Sequence, residues 1–378
     1  MRDGSGQKGR VLRIALAAVV AAGVVAGMGG SAQALAAGHA RRAPVSNVSF
    51  SRVSCRGKSF CLAVGQYSVP GHPEVRLTEE WNGKVWRILP DSLPGVLHNV
   101  TCGSPSFCLA GRAILTGKGT ARIYLTEWNG RSWQKFKHEA VNDYAVSCGA
   151  GSFCVTPDKT YSYVQGWNGK NWQDLSGSFC GLGPDCRWTG ASCGSATNCA
   201  GYGTVCEDSD CDSTESFNAV WDGTTWSFDV TDPVYSAAGA CAGASFCLYT
   251  APPASATFTR DWWKTWHDAS PDLTTACHGL ANCSLDGQLA CGSAWSCLDL
   301  PASATSRAVS LAWNGTTWTA TRVALVNGQI PDLTTLSCGS AGNCLAVGTY
   351  RLGQGKRQRP VAEHWNGSTW QVTPLPLP

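Results

Sequence analysis

This sequence has little charge of one sign. It contains 29 Lys+Arg against 26 Asp+Glu, and residues 1–36 hold Arg2, Lys8, Arg10 and Arg13 but only one acid, Asp3, which leaves 25 of each sign after residue 36. A chain so nearly neutral has no electrostatic footprint for nucleic acid or for an anionic membrane surface, and both are excluded as partners. Long apolar runs are also missing. The one run, Ile14 to Met28, is too short for a comfortable membrane span, no twin arginine precedes it, and no cysteine stands nearby to take a lipid. Flanked by the basic residues and by the small-residue stretch Ser31-Ala32-Gln33-Ala34-Leu35-Ala36, it predicts a secretory signal peptide over 1–36, cleaved after Ala34 or Ala36. The rest of the chain is expected to be exported, soluble and free of any membrane span.

Cysteine is plentiful, and all 20 copies follow the leader. An even number in a chain bound for an oxidising compartment predicts disulfides. Fourteen fall into seven pairs with five residues between them: Cys55/Cys61, Cys102/Cys108, Cys148/Cys154, Cys193/Cys199, Cys241/Cys247, Cys291/Cys297 and Cys338/Cys344. Zinc thiolates need tighter spacing and a reducing compartment. Successive first cysteines lie 47, 46, 45, 48, 50 and 47 residues apart, the length of a four-stranded propeller blade.

A second motif follows six of the seven cysteine pairs. It reads WNGKVW (81–86), WNGRSW (128–133), WNGKNW (167–172), WDGTTW (221–226), WNGTTW (313–318) and WNGSTW (365–370). Asn-Gly between apolar residues signals a β-hairpin, and a two-residue loop with positive φ at both central positions pairs Trp81 with Lys84 and makes the two indoles diagonal neighbours on one face. With strands over 47–54, 60–67, 75–81 and 84–89, and no helical stretch between units, the repeat predicts an all-β chain: a seven-bladed β-propeller of four-stranded antiparallel blades. This domain covers 37–378, with blades near 46–91, 92–140, 141–178, 187–232, 233–270, 285–328 and 329–378.

Two resemblances attach to these motifs. Thr259-Arg260-Asp261-Trp262-Trp263-Lys264-Thr265-Trp266 in the fifth unit is similar to the Asp-box of sialidase-type propellers, with Trp263 in place of the usual glycine. The repeating chain after the leader resembles secreted actinobacterial proteins built from a cysteine hairpin and a Trp-Asn-Gly hairpin. That resemblance implies a propeller and export, and no particular reaction.

The regular hairpins share one face of such a ring, so the opposite face, with its irregular connectors, is where binding residues are expected. Six further cysteines lie there, Cys180/Cys186 and Cys277/Cys283 in crossovers and Cys206/Cys211 in the loop of the fourth unit, and their pairing stays open. The segment PDLTTACHGLANC (271–283) mirrors PDLTTLSCGSAGNC (331–344), but spacing to the next Trp-Asn-Gly motif makes Cys291/Cys297 the hairpin of blade 6. Between Cys206 and Glu215, Asp208, Asp210 and Asp212 alternate as hard oxygen ligands do, and with Glu215 they are candidate Ca²⁺ ligands. Trp188, placed in a crossover, is the candidate stacking surface for a ligand. The connector histidines His72, His98, His138, His267 and His278 show no metal-like spacing. Together these features predict a non-catalytic module that binds an extracellular glycan, cell-wall component or protein. A sialidase-like glycoside hydrolase or lyase, and a structural protein of the cell surface, are the alternatives.

Overall fold

The computed structural model describes residues 45–378 except 91, 116–120, 137–145, 158–162, 176–185, 207–213, 230–237, 252–255, 261–265, 281–282, 286, 301–307 and 353–357. The described strands form seven four-stranded antiparallel sheets, each built from four consecutive strands. The chain is a β-propeller with disulfide-bonded hairpins. In blade 1 the strands are Ser46–Arg56, Phe60–Ser68, Val75–Trp81 and Trp86–Ile88. The first strand of every blade is the inner one; the others are Val96–Ser104, Ser147–Cys148, Cys186–Ser195, Ala238–Ala242, Gln288–Ser293 and Asp332–Ser340. These strands contact one another in cyclic order, and the last touches the first.

Each five-residue spacing places its cysteines directly opposite one another across the first hairpin, as in Cys102 opposite Cys108. Every such pair is a disulfide: Cys55–Cys61, Cys102–Cys108, Cys148–Cys154, Cys193–Cys199, Cys241–Cys247, Cys291–Cys297 and Cys338–Cys344. Cys277–Cys283 is an eighth. Closing so short a loop contributes about 2 kcal/mol by restricting the unfolded chain.

The Trp-Asn-Gly hairpin differs from the two-residue turn. Trp81 pairs directly with Trp86 across a four-residue loop, and so do Trp313 and Trp318. Only glycine takes positive φ, 100° at Gly315. The asparagine acts through its side chain: Asn314 Oδ1 accepts from the backbone N–H of Thr316 at 3.0 Å and of Thr317 at 2.8 Å. Asp222 does the same for Thr224 and Thr225 in WDGTTW. What the turn needs is an acceptor, which explains the exchange of Asn for Asp.

The two indoles of each motif are neighbours, with ring centroids 5.5 Å apart at Trp313–Trp318. Each pair packs on the preceding blade: Trp81 and Trp86 with Leu345 and Val347 of blade 7, Trp128 and Trp133 with Leu62 and Val64 of blade 1. Such pairs contribute roughly 0.5–1.5 kcal/mol beyond the area they bury. A hydroxyl ladder adds to this near the axis. The residue before the first cysteine accepts the N–H of the next blade's first cysteine: Ser54 from Cys102 at 2.9 Å, Thr101 from Cys148 at 2.8 Å, Ser147 from Cys193 at 3.0 Å, Ser192 from Cys241 at 3.0 Å and Ser337 from Cys55 at 2.9 Å.

One helical turn, Leu273–Ala276, interrupts the expected all-strand pattern in the crossover from blade 5 to blade 6. Asp272 caps it by accepting the N–H of Thr274.

Candidate functional site

Trp188 is not a surface residue. The inner strand of blade 4 begins at Cys186, earlier than expected, so Trp188 lies within the strand and is 1% exposed. It packs edge-on against Phe217 and Trp226, with ring centroids 5.0 and 5.1 Å away. The indole covers Gly201, where a Cβ would stand 2.1 Å from Trp188 Cζ3. The sequence signal for this is the alternation of Gly201 and Gly203 on the neighbouring strand, which clears space for large rings.

Asp208, Asp210 and Asp212 lie outside the described residues, as do Cys180, Cys211 and the core of the Asp-box-like stretch, 261–265. Glu215 has a described backbone, paired with Val205, but its side chain lies outside the description, as do those of Cys186 and Cys206. Among the described residues no cluster of three or more His, Cys, Asp or Glu could hold a metal ion.

The inner strands enclose a cavity of about 340 Å³ that contains features the repeat does not share. The hairpin disulfides are only its wall. Their first cysteines, Cys55, Cys148, Cys193, Cys241, Cys291 and Cys338, border the cavity from the inner strands. The second cysteines, Cys61, Cys108, Cys154, Cys199, Cys247, Cys297 and Cys344, stand one strand further out, buried inside their blades and away from it. With both sulfurs of each pair committed to the bridge, none of these cysteines can serve as a ligand or nucleophile, and their part is structural.

The residue after the first cysteine is glycine or alanine in six blades: Gly103, Gly149, Gly194, Ala242, Gly292 and Gly339. A Cβ at Gly103 would meet Gly151 O at 2.1 Å, and at Gly194 it would meet Gly243 O at 2.4 Å. Blade 1 has Arg56 instead. Its Nε donates to the carbonyl of Cys102, and its Nη2 to those of Cys148 and, at 3.4 Å, Cys193. One side chain thereby braces four blades. Arg56 also lines a second chamber bounded by the cysteine-hairpin loops, and so stands between the two.

Three positions before the first cysteine, blade 1 has Arg52, where the described equivalents are Asn99, Gly190, Ala238, Gln288 and Thr335. Arg52, Ser54 and Arg56 share one face of their strand by its two-residue period. From across the ring comes Tyr202, paired with Gly190; a Cβ at residue 190 would lie 2.4 Å from the Tyr202 hydroxyl oxygen. Glycine there opens the path of the phenol to the cavity. Arg52 is accessible to solvent in the channel yet enclosed by protein; this enclosure lowers its pKa, while Tyr202 opposes the shift. Burial lowers Arg56 to about 10 and raises Tyr202. At neutral pH Arg56 is therefore a cation and the phenol keeps its proton. No acidic residue lines this cavity among the described residues.

A third feature lies on the regular face. Trp295 occupies the loop position that is Ser59, Ser106, Ser152, Thr197, Ser245 or Gly342 in the other hairpins, and it is 72% exposed. It rests on Gly315 of the adjacent Trp-Asn-Gly turn, where a Cβ would be 2.8 Å from Trp295 Cε3. A groove of about 310 Å³ runs beside it, lined by Ser296, Asn314 and Gly342 and by the edges of Trp313 and Trp365.

Among the described residues three carboxylates have no exposure, Glu79, Asp299 and Glu363. Glu79 and Glu363 stand at equivalent places, two residues before the first tryptophan in blades 1 and 7. Burial pushes Glu79 up to about 8. It pushes Glu363 up to about 7, although Ala324 N–H donates to Glu363 Oε2 at 2.9 Å. Neither lines the cavity or the groove.

No protein-family model matches the chain, and no curated protein does. Solved propeller structures align with most of it at low similarity. YCF48 from Cyanidioschyzon merolae is 13% identical over 73% of this chain and 95% of its own, with a TM-score of 0.37. A virginiamycin B lyase from Staphylococcus aureus is 6% identical over 80% and 94%, with a TM-score of 0.46. The α-L-arabinofuranosidase Arb93A from Fusarium graminearum is 11% identical over 83% and 92%, with a TM-score of 0.39. Likenesses this distant assign no activity to the chain.

Proposed function

We propose that this protein is an exported, non-catalytic propeller that binds glycan by stacking a sugar ring on Trp295. The observation that carries the reading is the exposure of that indole, 72% in a fold whose other described tryptophans are packed inside or partly covered. An exposed aromatic face beside a groove with polar edges suits the apolar C–H face of a pyranose while its hydroxyls remain at the wet rim. The surface offering it is the regular face, against the expectation that the irregular face carries binding. Export and the hardening of every blade by a disulfide fit an extracellular scaffold.

The test is binding of the oxidised protein, without residues 1–36, to immobilised glycans and cell-wall polysaccharides, with and without Ca²⁺. Trp295→Ala is expected to weaken binding about tenfold or more, ~1.4 kcal/mol, with an unchanged melting temperature. Loss of binding on Ca²⁺ removal alone assigns the site to the acidic loop 206–215. Equal binding by Trp295→Ala and the parent sinks the groove.

A further inference from the structure

We propose that the central channel is an oxyanion site, in which Arg52, with Arg56 behind it and the Tyr202 hydroxyl opposite, receives a carboxylate or phosphate group. The repeat supplies the first argument. Six blades present small or neutral side chains to the axis after the first cysteine, and only blade 1 places arginine both there and three positions before it. The two cations are thus concentrated on one wall.

The second argument is charge balance. Arg56 is held by three backbone carbonyls and by no carboxylate, and Arg52 has no carboxylate partner among the described residues. With no acidic residue lining the channel among the described residues, an anion is the group that would balance the two cations. A guanidinium is suited to this because its planar fork matches a carboxylate or phosphate with two parallel N–H donors. Arg56, braced as it is, fixes the floor of the chamber; Arg52, with its fork unspent, is the group that grips.

The third argument is the room left for a ligand. The chamber of about 340 Å³ lies at the low end of the range for small-molecule sites, roughly 300–1,000 Å³. Gly190 lets Tyr202 reach across blade 4's own inner strand into the cavity that Arg52 also lines. Since burial keeps that phenol protonated, its O–H is a donor for the same anion. The site is separate from the Trp295 groove and does not depend on it.

The experiment is calorimetric titration of the protein, without residues 1–36, in chloride-free buffer with inorganic phosphate and, separately, D-glucuronate; D-glucose is the neutral control. Phosphate, glucuronate or both are expected to bind and raise the melting temperature, and glucose is expected to do neither. Which of the two binds more tightly distinguishes a phosphate source from a carboxylate source. Arg52→Gln is expected to weaken binding at least tenfold. If Arg52→Gln does not fold, Tyr202→Phe serves instead, losing one donor and about threefold to tenfold in affinity. Absence of binding by both oxyanions, or full affinity in the folded variant, overturns the proposal.

Discussion

Glu79 has both carboxylate oxygens buried without a hydrogen-bond partner, and this has a predictable effect on stability. A carboxyl group raised from 4.5 to about 8 in the folded state holds its proton where the unfolded chain has released it. Below pH 4.5 both states are protonated and no penalty exists. As pH rises from there to 8 the folded state loses stability, and above 8 the full penalty, on the order of 3–5 kcal/mol, is present. Glu363, raised to about 7, adds a slope of the same size over a narrower window and so a smaller total penalty. Urea unfolding between pH 5 and 9 is expected to show the parent becoming less stable toward alkaline pH, and Glu79→Gln flattening most of that slope and unfolding later at pH 8.5. A Gln variant that tracks the parent at every pH removes Glu79 as the cause. Glu80, its neighbour, is buried too but has a partner, an ion pair with the exposed Arg87 at 2.8 Å. Adjacent strand residues face opposite ways, so a slip of one residue separates a paired acid from one whose oxygens have no hydrogen-bond partner. The same sensitivity moved Trp188 from an expected surface to the core.

The cysteine hairpin was legible because a disulfide fixes its own register, and cysteines six apart across a short loop have few other places to go. The Trp-Asn-Gly turn was legible as a turn but not in its loop length, because Asn-Gly also suits a wider loop in which asparagine works as an acceptor. Asn314→Ala is expected to cost about 1 kcal/mol by leaving the N–H groups of Thr316 and Thr317 without their partner. Asn314→Asp, the residue blade 4 already uses at 222, is expected to cost little. Thermal melts that rank the two variants the other way contradict the acceptor role. The pentapeptide PDLTT marks the limit of local reading. At 271–275 it contributes Asp272 as the cap of a helical turn, and at 331–335 it enters the inner strand of blade 7, with Asp332 paired to Thr349. Nothing within five residues distinguishes the copies. The second has a partner strand, Asn343–Arg351, to satisfy its backbone, and the first satisfies its own by coiling.

At the scale of the whole ring, the repeat disclosed the blades but not how they are sewn together. Among the described residues no strand is shared between blades 7 and 1, and their joint is made by side-chain hydrogen bonds and packing. Ser337 accepts from Cys55 N–H at 2.9 Å, Trp86 Nε1 donates to Thr373 at 3.1 Å, and Asn343 Nδ2 donates to Gly57 O at 2.9 Å. Asn343 precedes the second cysteine of its hairpin, and its equivalents also reach the next blade: Phe60 and Phe107 by packing, Asn198 and Ser296 by hydrogen bonds to Phe246 O at 3.1 Å and Ala341 O at 2.9 Å. One position thus chooses the chemistry of each joint. Asn198→Ala and Asn343→Ala each strip a part-buried hydrogen bond from the joint, at a cost of about 1 kcal/mol. Their consequences differ, because blades 4 and 5 remain tethered by the chain while blades 7 and 1 do not. A ring of nearest-neighbour contacts opens first at its untethered joint. Hydrogen exchange is therefore expected to accelerate in Asn343→Ala over 52–56 and 335–343, the two sides of that joint, while Asn198→Ala leaves those segments protected. Equal acceleration of the joint in both variants shows that the ring unfolds as one unit and that the seam is no weaker than the rest.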